Sequence, residues 1–179
     1  MKIAVTGKFR SGKNQFAKYF LAKGFTPAAF GDELTELLME YFPEAFIQEG
    51  KPREHYTLIG QTFRQLNPTI WIDRLAPLLE ILDSIGTDLI VTDLRQQNEY
   101  EYLKSEGYTI IKVEADEEIR KQRIINAGET FDPKRFYHET ELSVDGLQYD
   151  YLVSNNTTLD DLYMQAEFIY NELKGEETT

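Results

Sequence analysis

The fold is decided by the stretch Gly7-Lys8-Phe9-Arg10-Ser11-Gly12-Lys13-Asn14. Its spacing, G-x-x-x-x-G-K, is that of a phosphate-binding loop, in which the glycines let the backbone curl and point successive N–H groups at a phosphate chain. The apolar run at residues 2–6 has the composition of a buried strand, and residues 13–23 predict a helix. The alternative is an ordinary turn between a strand and a helix, but it does not explain Lys13, because the start of a helix disfavours a positive charge. A phosphate bound at the start of the helix would explain it. The order of strand, glycine loop and helix therefore predicts that Lys13 reaches the β- and γ-phosphates of a nucleotide.

The irregular residue of this loop is Asn14, which stands where such loops usually carry Ser or Thr to bind Mg²⁺. An amide carbonyl is also a hard oxygen ligand, so Asn14 is compatible with metal binding. The alternative is a loop that no longer supports catalysis.

Composition narrows the class of protein. The length of 179 residues fits one domain, and a hydrophobic fraction of 41% supplies a core. The lack of cysteine excludes disulfides and fits a reducing, cytoplasmic location. The sequence leads directly into a strand candidate, so no signal peptide is expected, and no apolar stretch reaches membrane-spanning length. A formal net charge of −12 opposes binding to nucleic acid, so neither a membrane nor a nucleic acid is expected as a partner. The basic residues nevertheless cluster, which allows a small phosphorylated ligand: Lys8, Arg10, Lys13, Arg120, Lys121, Arg123, Lys134 and Arg135.

Short apolar runs alternate with helical patterns along the chain, which predicts a parallel sheet covered by helices on both faces. The strand candidates are residues 2–6, 25–30, 88–92, 109–113 and 151–154. The helix candidates are residues 13–23, 32–41, 53–66, 70–84, 97–105, 116–126 and 159–173. Residues 43–52 and 127–142 contain Pro and Gly with little periodicity and are predicted to be loops or mobile covers.

A carboxylate, Asp93, follows the third strand candidate, and Arg95 comes two residues later. Ligands of open parallel sheets lie at the carboxyl ends of strands, so Asp93 is predicted to lie near the phosphate loop. There it can order Mg²⁺ or polarise an attacking oxygen, while Arg95 can bind a phosphate through two parallel hydrogen bonds. The alternative makes Asp93 or Asn98 a helix cap and Arg95 a solvated charge.

Two arginines, Arg120 and Arg123, share one face of the helix that leads into residues 127–142. Arginines beside a mobile segment suggest a lid that neutralises charge on a transferring phosphoryl group. Salt bridges to the acidic residues 116–118 are the alternative.

A fourth group lies between the second and third strand candidates. Arg53, Arg64 and Trp71 sit in or beside amphipathic helices, where an arginine and an aromatic ring could clamp a phosphorylated base. A single Trp is more often part of the core. Asp32, directly after the second strand candidate, could contact the ligand or cap a helix.

These motifs together resemble the nucleoside monophosphate kinase superfamily of phosphate-loop enzymes. Within it the chain is most similar to the deoxynucleoside monophosphate kinases of the bacteriophage type, with dephospho-coenzyme A kinase and phosphomevalonate kinase as relatives. The most specific piece is the D-x-R-x-x-N-E pattern from Asp93 to Glu99, and the H-x-x-E of residues 138–141 resembles the lid region. Residues 30–34, 60–64 and 154–163 resemble the acidic turn, the acceptor helices and the loop beside the adenine of ATP.

The resemblance implies a three-layer α/β/α phosphate-loop fold with a five-stranded parallel sheet in one domain over residues 1–179. It implies an acceptor-binding helical insert at about residues 32–84 and a lid at about residues 127–142. The implied reaction transfers the γ-phosphoryl group of ATP, with Mg²⁺ as cofactor, to the phosphate of a deoxynucleoside monophosphate.

Roles for individual residues follow from the same resemblance. The implied catalytic residues are Lys13, Asp93, Arg95 and Arg123. The implied ATP-binding residues are Gly7, Arg10, Ser11, Gly12, Lys13, Asn14, Gln15, Arg120, Asn155 and Asn156. The implied acceptor-binding residues are Asp32, Arg53, Arg64, Trp71 and Arg95. The implied Mg²⁺ ligands are Asn14 and Asp93.

Three other functions stay open at this point. One is a kinase of dephospho-coenzyme A or of another small phosphorylated molecule. The second is a nucleotide-binding protein without transfer activity, which Asn14 keeps open. The third, a nucleic-acid-stimulated ATPase, is disfavoured by the acidic charge. The expected partners are small-molecule nucleotides, and the sequence does not choose between a monomer and a homodimer.

Overall fold

The computed structural model describes residues 1–49 and 52–175. Its centre is a five-stranded sheet in which every neighbouring pair of strands is parallel, in the order β2-β3-β1-β4-β5. The strands are β1 (Lys2–Thr6), β2 (Thr26–Ala28), β3 (Leu89–Leu94), β4 (Thr109–Glu114) and β5 (Tyr151–Ser154). β1, β3 and β4 are runs of apolar residues because helices cover both faces of the sheet.

Helices connect these strands. They are α1 (Lys13–Ala22), α2 (Asp32–Tyr41), α3 (Pro43–Glu49), α4 (Arg53–Leu66), α5 (Ile70–Ser84), α6 (Gln97–Ser105), α7 (Glu117–Asn126), α8 (Pro133–Phe136), α9 (Glu139–Leu142) and α10 (Leu159–Lys174). A 3-10 turn at Ser143–Gly146 follows α9.

Two apolar cores lie on opposite faces of the sheet. One packs α2, α5 and α6 against the sheet through side chains such as Leu38, Leu79 and Leu103. The other packs α1 and α10 against it through Phe16, Phe20 and other side chains. The three-layer α/β/α fold with a five-stranded parallel sheet is therefore confirmed.

The two predicted loops are both partly helical. Residues 43–49 form α3, because a proline is well tolerated at the first position of a helix, where its missing N–H has no partner to lose. The remainder of that predicted loop includes residues 50 and 51, which lie outside the described residues. The 127–142 segment contains the short helices α8 and α9.

The sheet order brings three chain connections to one place. β1 lies between β3 and β4, pairing Ile3 with Ile90 on one side and with Thr109 on the other. The chain leaves the carboxyl end of β1 into the glycine loop, the end of β3 toward α6 and the end of β4 toward α7. Where the connections that follow two neighbouring strands leave toward opposite faces of the sheet, a crevice forms at the carboxyl ends of the strands, and such sheets bind ligands there.

Both edges of the sheet carry a feature that interrupts backbone pairing. On the β2 edge this is Pro27, which has no N–H to donate. On the β5 edge the side-chain amide of Gln165 accepts from the N–H of Ser154 at 3.0 Å and donates to its carbonyl at 2.8 Å.

Within residues 1–49 and 52–175, no helix has both the length and the apolar character that crossing a membrane requires.

Candidate active site

The glycine loop requires its glycines for two reasons. Gly7 and Gly12 have φ values of +147° and +104°, a region that side chains rarely tolerate. A Cβ atom on Gly7 would lie 2.3 Å from the carbonyl oxygen of Val113, and one on Gly12 would lie 1.9 Å from Nδ2 of Asn155. The loop backbone therefore packs directly against the end of β4 and the residue that follows β5.

Arg123 and Asn155, which lie outside the loop, bind its backbone carbonyls. Arg123 Nη1 donates to the carbonyls of Arg10 and Ser11 at 3.1 and 3.3 Å, and its Nη2 donates to the carbonyl of Asn155 at 2.8 Å. Nδ2 of Asn155 donates to the carbonyl of Ser11 at 2.8 Å. These bonds fix the curl of the loop, so the structure gives Arg123 a supporting contact with the loop backbone.

Lys13, the first residue of α1, lies inside the curl. Its Nζ donates to the carbonyls of Gly7 and, at 3.0 Å, of Lys8, and only 8% of the residue is exposed. Burial, followed by the positive charge of Arg95, lowers the pKa of Lys13 to about 7. An anion bound beside these two cations would relieve their repulsion.

Asp93 lies near the carboxyl end of β3 and bonds to the turn before α2. Its two carboxylate oxygens accept from the N–H groups of Phe30 and Gly31 at 2.8 and 2.9 Å. Burial, followed by the negative charge of Glu99, raises the pKa of Asp93 to about 6, although both backbone hydrogen bonds oppose the rise. Each carboxylate oxygen retains a second lone pair with which it can bind a cation.

Arg95 is held by a residue to which sequence reasoning gave no role. Its Nη1 donates to the carboxylate of Glu141, which also accepts from the backbone N–H of Phe9 at 2.5 Å. Glu141 is only 6% exposed, and Ser143 Oγ donates to the carbonyl of Arg95 at 2.9 Å. The end of the 127–142 segment thus contacts the phosphate loop and Arg95 together. The H-x-x-E pattern was the available signal for Glu141.

Arg120 contacts both the loop and the 127–142 segment. Its Nη1 donates to the carbonyl of Phe9 at 3.3 Å, and its guanidinium carbon lies 4.3 Å from the centre of the Phe136 ring. This cation–π contact accounts for an arginine that is almost completely buried. The alternative for Arg120 and Arg123, salt bridges to residues 116–118, does not occur among the ion pairs of the described residues, where Lys121 pairs with Glu117 and Glu118 instead.

The predicted acceptor arginines lie in different surroundings. Arg64 donates from Nη2 to Oε1 of Glu99 at 3.0 Å. Nη2 of Arg53 lies 4.0 Å from Oε1 of Glu129, which also pairs with Arg10 at 2.6 Å. Arg53 therefore lies next to the phosphate loop, and Arg64 next to the turn that carries Arg95.

Trp71 lies in the apolar core that α2 and α5 share with the sheet. It is 4% exposed, its ring stacks on Phe63 with centroids 5.8 Å apart, and its Nε1 donates to the carbonyl of Gly60 at 3.4 Å. The ring is therefore packed within the core, and a contact between Trp71 and an acceptor stays a prediction.

The remaining predicted residues lie around these contacts. Asp32 accepts from the N–H of Ala29 at 2.8 Å, which closes the turn before α2. The side-chain amide of Asn156 accepts from the N–H of Asp116 and donates to its carboxylate. Asn14 and Gln15 are exposed in the first turn of α1.

The chemistry of the two predicted metal ligands is compatible with a magnesium ion. In the part of the chain that the structure describes, no three His, Asp or Glu side chains form a group able to hold a metal ion. Mg²⁺ does not require such a cage, because it keeps several waters and binds through one or two protein oxygens together with substrate phosphates. Asn14 and Asp93 offer oxygens of this kind.

Comparison with known proteins gives the fold. No protein-family model matches the chain. It is 28% identical over 177 residues to a UPF0200 protein of Sulfurisphaera tokodaii, a name that carries no activity, and the match covers 92% of this chain and 93% of that protein.

Three solved structures resemble nearly the whole chain. A sugar kinase of Janibacter sp. HTCC2649 has a TM-score of 0.62 at 16% identity and covers 99% of this chain and 98% of its own. The dephospho-CoA kinase of Campylobacter jejuni has a TM-score of 0.56 at 14% identity, covering 96% of each chain. The shikimate kinase of Aquifex aeolicus has a TM-score of 0.55 at 16% identity, covering 98% and 97%. The chain therefore has the fold of the phosphate-loop kinases.

Proposed function

We propose that this protein is an ATP-dependent phosphotransferase that converts deoxynucleoside monophosphates to diphosphates. The observation that carries the proposal is a concentration of positive charge. Lys13, Arg95, Arg120 and Arg123 all lie at or beside the phosphate loop of a chain whose formal net charge is −12. Positive charges that lie together in one crevice of an otherwise acidic surface favour the binding of a small, highly charged anion over the binding of a large polyanion.

The donor side of the site is the glycine loop. Its N–H groups and Lys13 bind the phosphates of ATP, with Arg10, Ser11, Asn14 and Gln15 as further contacts of the loop and the first turn of α1. Arg123 and Asn155 keep the loop curled by binding its carbonyls. Arg120, Asn155 and Asn156 border the donor on the side of α7 and α10.

The transfer needs no protein nucleophile, because an oxygen of the acceptor phosphate attacks the γ-phosphoryl group directly. The contribution of the protein is to align the two anions and to offset their charge. Asn14 and Asp93 would hold Mg²⁺, which when bound offsets charge on the donor phosphates. Asp93 also stands where it can orient the attacking oxygen.

The acceptor side begins with Arg95. A guanidinium carries five N–H donors, so Arg95 can bind Glu141 through Nη1 and a phosphate through its other nitrogens. Arg64 and Arg53 on α4 and Asp32 at the start of α2 form the rest of this side, within the proposed insert at residues 32–84. The 127–142 segment acts as the lid.

A second candidate is a kinase of dephospho-coenzyme A or of another small phosphorylated molecule. The structural likeness to the dephospho-CoA kinase of Campylobacter jejuni supports it. It uses the same donor side and the same Arg95, and differs only in what fills the acceptor side. A nucleotide-binding protein without transfer activity is the third candidate, because Asn14 replaces the usual hydroxyl residue.

One assay separates these candidates. Production of ADP from Mg·ATP is measured with each deoxynucleoside monophosphate, each ribonucleoside monophosphate and dephospho-coenzyme A, using wild-type protein and Lys13→Ala. We expect turnover with at least one deoxynucleoside monophosphate and none from the variant. Turnover only with dephospho-coenzyme A supports the second candidate. ATP that raises the thermal unfolding midpoint without turnover of any acceptor supports the third.

Arg95→Lys tests the acceptor side. A lysine keeps the charge but lacks the planar fork that fixes the angle of a phosphate. We expect a large loss of kcat and a higher KM for the acceptor, with the KM for ATP unchanged. Wild-type kinetics in this variant would contradict the proposed site.

A further inference from the structure

Glu99 makes more contacts than its local role in a helix requires. It is 2% exposed, and its Oε1 accepts from Nη2 of Arg64 at 3.0 Å. Its Oε2 accepts from the backbone N–H groups of Arg95 and Gln96, each at 3.0 Å. One buried carboxylate therefore joins a side chain of α4 to the turn between β3 and α6.

Part of this arrangement is ordinary helix capping. Gln96 and Glu99 form the capping box of α6, in which the third residue of the helix binds the N–H of the capping residue. That function uses the bond to Gln96 alone. The bonds to Arg95 and Arg64 are additional, and the second spans 35 residues of sequence.

An arginine that is already fixed in place loses less conformational entropy when it binds a ligand. A free arginine loses rotamer freedom when it binds a ligand, and an ion pair already formed removes part of that loss. The bond to Glu99 uses one nitrogen of Arg64, whose side chain remains 26% exposed, so other N–H groups of its guanidinium are available to an anion.

We propose that Glu99 is a positioning residue for the acceptor phosphate. It holds the guanidinium of Arg64 beside the turn from which Arg95 projects, so that both arginines meet an acceptor that enters between α4 and the end of β3. This inference rests on the proposed function and adds to it a residue that acts through Arg64 and Arg95.

The test uses two substitutions of Glu99. Glu99→Gln can accept through only one oxygen, so it cannot hold Arg64 and the turn at the same time. Glu99→Asp is shorter by one methylene and is expected to keep the cap while releasing Arg64. Asp161 already completes a capping box of this shorter kind at the start of α10, so the Asp variant is expected to fold. Asp150→Asn is the matched control, because this carboxylate also joins a basic side chain to a backbone N–H. It binds Nζ of Lys104 at 3.0 Å and the N–H of Ile110 at 2.7 Å, directly before β5 and therefore at the end of the sheet opposite the site.

We expect both Glu99 variants to raise the KM for the acceptor about tenfold, which is the size of effect expected from losing one charge-assisted hydrogen bond. The KM for ATP should stay within about twofold of wild type. Asp150→Asn should leave both KM values unchanged. The dissociation constant of the deoxynucleoside monophosphate, measured by calorimetry without ATP, should rise in parallel with its KM.

A double-mutant cycle with Arg64→Ala decides whether Glu99 acts through Arg64. If it does, adding Glu99→Gln to Arg64→Ala causes little further loss, because the side chain being positioned is already gone. Additive losses, an equal rise in the KM for ATP, or lower stability with unchanged kinetics would each overturn the inference. A wild-type protein that binds deoxynucleoside monophosphates but transfers nothing overturns the proposed function only, and the calorimetric cycle then decides the role of Glu99.

Discussion

Glu141 and Arg95 form an ion pair that joins the 127–142 segment to the residue directly after β3. The same carboxylate accepts from the N–H of Phe9 in the phosphate loop. A backbone N–H of this loop and a guanidinium group are also the partners expected for a phosphate oxygen. Glu141 therefore binds groups for which a phosphate would compete.

We expect Glu141→Gln to lower the free energy of unfolding by about 1–2 kcal/mol, because a partly exposed ion pair becomes a neutral contact. It should also strengthen the binding of pyrophosphate, since a nearby negative charge is removed. Urea unfolding with and without pyrophosphate measures both effects. Glu139→Gln, an exposed carboxylate two residues away, is the control and should change neither. Weaker pyrophosphate binding by Glu141→Gln would contradict the competition.

Lys13 predicts a pH-dependent stability. Its pKa falls from 10.5 in the unfolded chain to about 7 in the folded protein. Between these values the unfolded chain binds a proton that the folded protein does not, so the contribution of Lys13 to stability rises with pH from about 7 to 10.5. Below pH 7 Lys13 is protonated in both states, and the free-energy cost of burying its charge is present in full. Lys13→Met should therefore gain most in unfolding free energy at pH 6.5 and much less at pH 9.5. A gain that is equal at both pH values would contradict the lowered pKa.

Gly12 should tolerate no side chain. Gly12→Ala must place a Cβ against Asn155 in a positive-φ backbone, and we expect a loss of about 2–3 kcal/mol in stability from the strain and the displaced hydrogen bond. Gly128→Ala is the matched control. It also has a positive φ, of +71°, but no atom lies within 4 Å of the added Cβ, so about 1 kcal/mol is expected. Chemical denaturation measures both, and equal losses would show that Asn155 gives way without cost.

Asn14 should influence the magnesium requirement. If its carbonyl oxygen is a ligand, Asn14→Ser keeps an oxygen there and retains activity, while Asn14→Leu requires more Mg²⁺ for half-maximal turnover. Titration of Mg²⁺ at fixed ATP with wild type and both variants measures this requirement. Superimposable curves would exclude Asn14 as a ligand.

Much of the fold follows from local sequence patterns. The bounds of α2, α4, α5 and α6 agree with the prediction residue for residue, because their amphipathic periodicity is strong and their flanks carry Gly, Pro or Asn. α3 was missed because two prolines were interpreted as loop signals, although Pro43 stands at the position of a helix that tolerates proline best.

The side-chain contacts of the site were harder to predict. Local spacing identifies the phosphate loop and Asp93, but the bond of Arg95 to Glu141 joins residues 46 positions apart and depends on how the 127–142 segment folds back. Glu99 was available as the third residue of a capping box. Its second partner, Arg64, is set by the packing of α4, which no local pattern encodes. Trp71 is buried in the core, and because aromatic rings serve both cores and binding sites, its contact with an acceptor stays a prediction.

The features at the two edges of the sheet affect how copies of this chain associate at high concentration. An edge strand with free backbone groups is a template on which another strand can add, and such addition leads to aggregation. Pro27 interrupts that template on β2, and the amide of Gln165 bonds to the backbone of Ser154 at the end of β5. These features oppose edge-to-edge polymerisation of the sheet, and the repulsion between molecules of net charge −12 acts in the same direction.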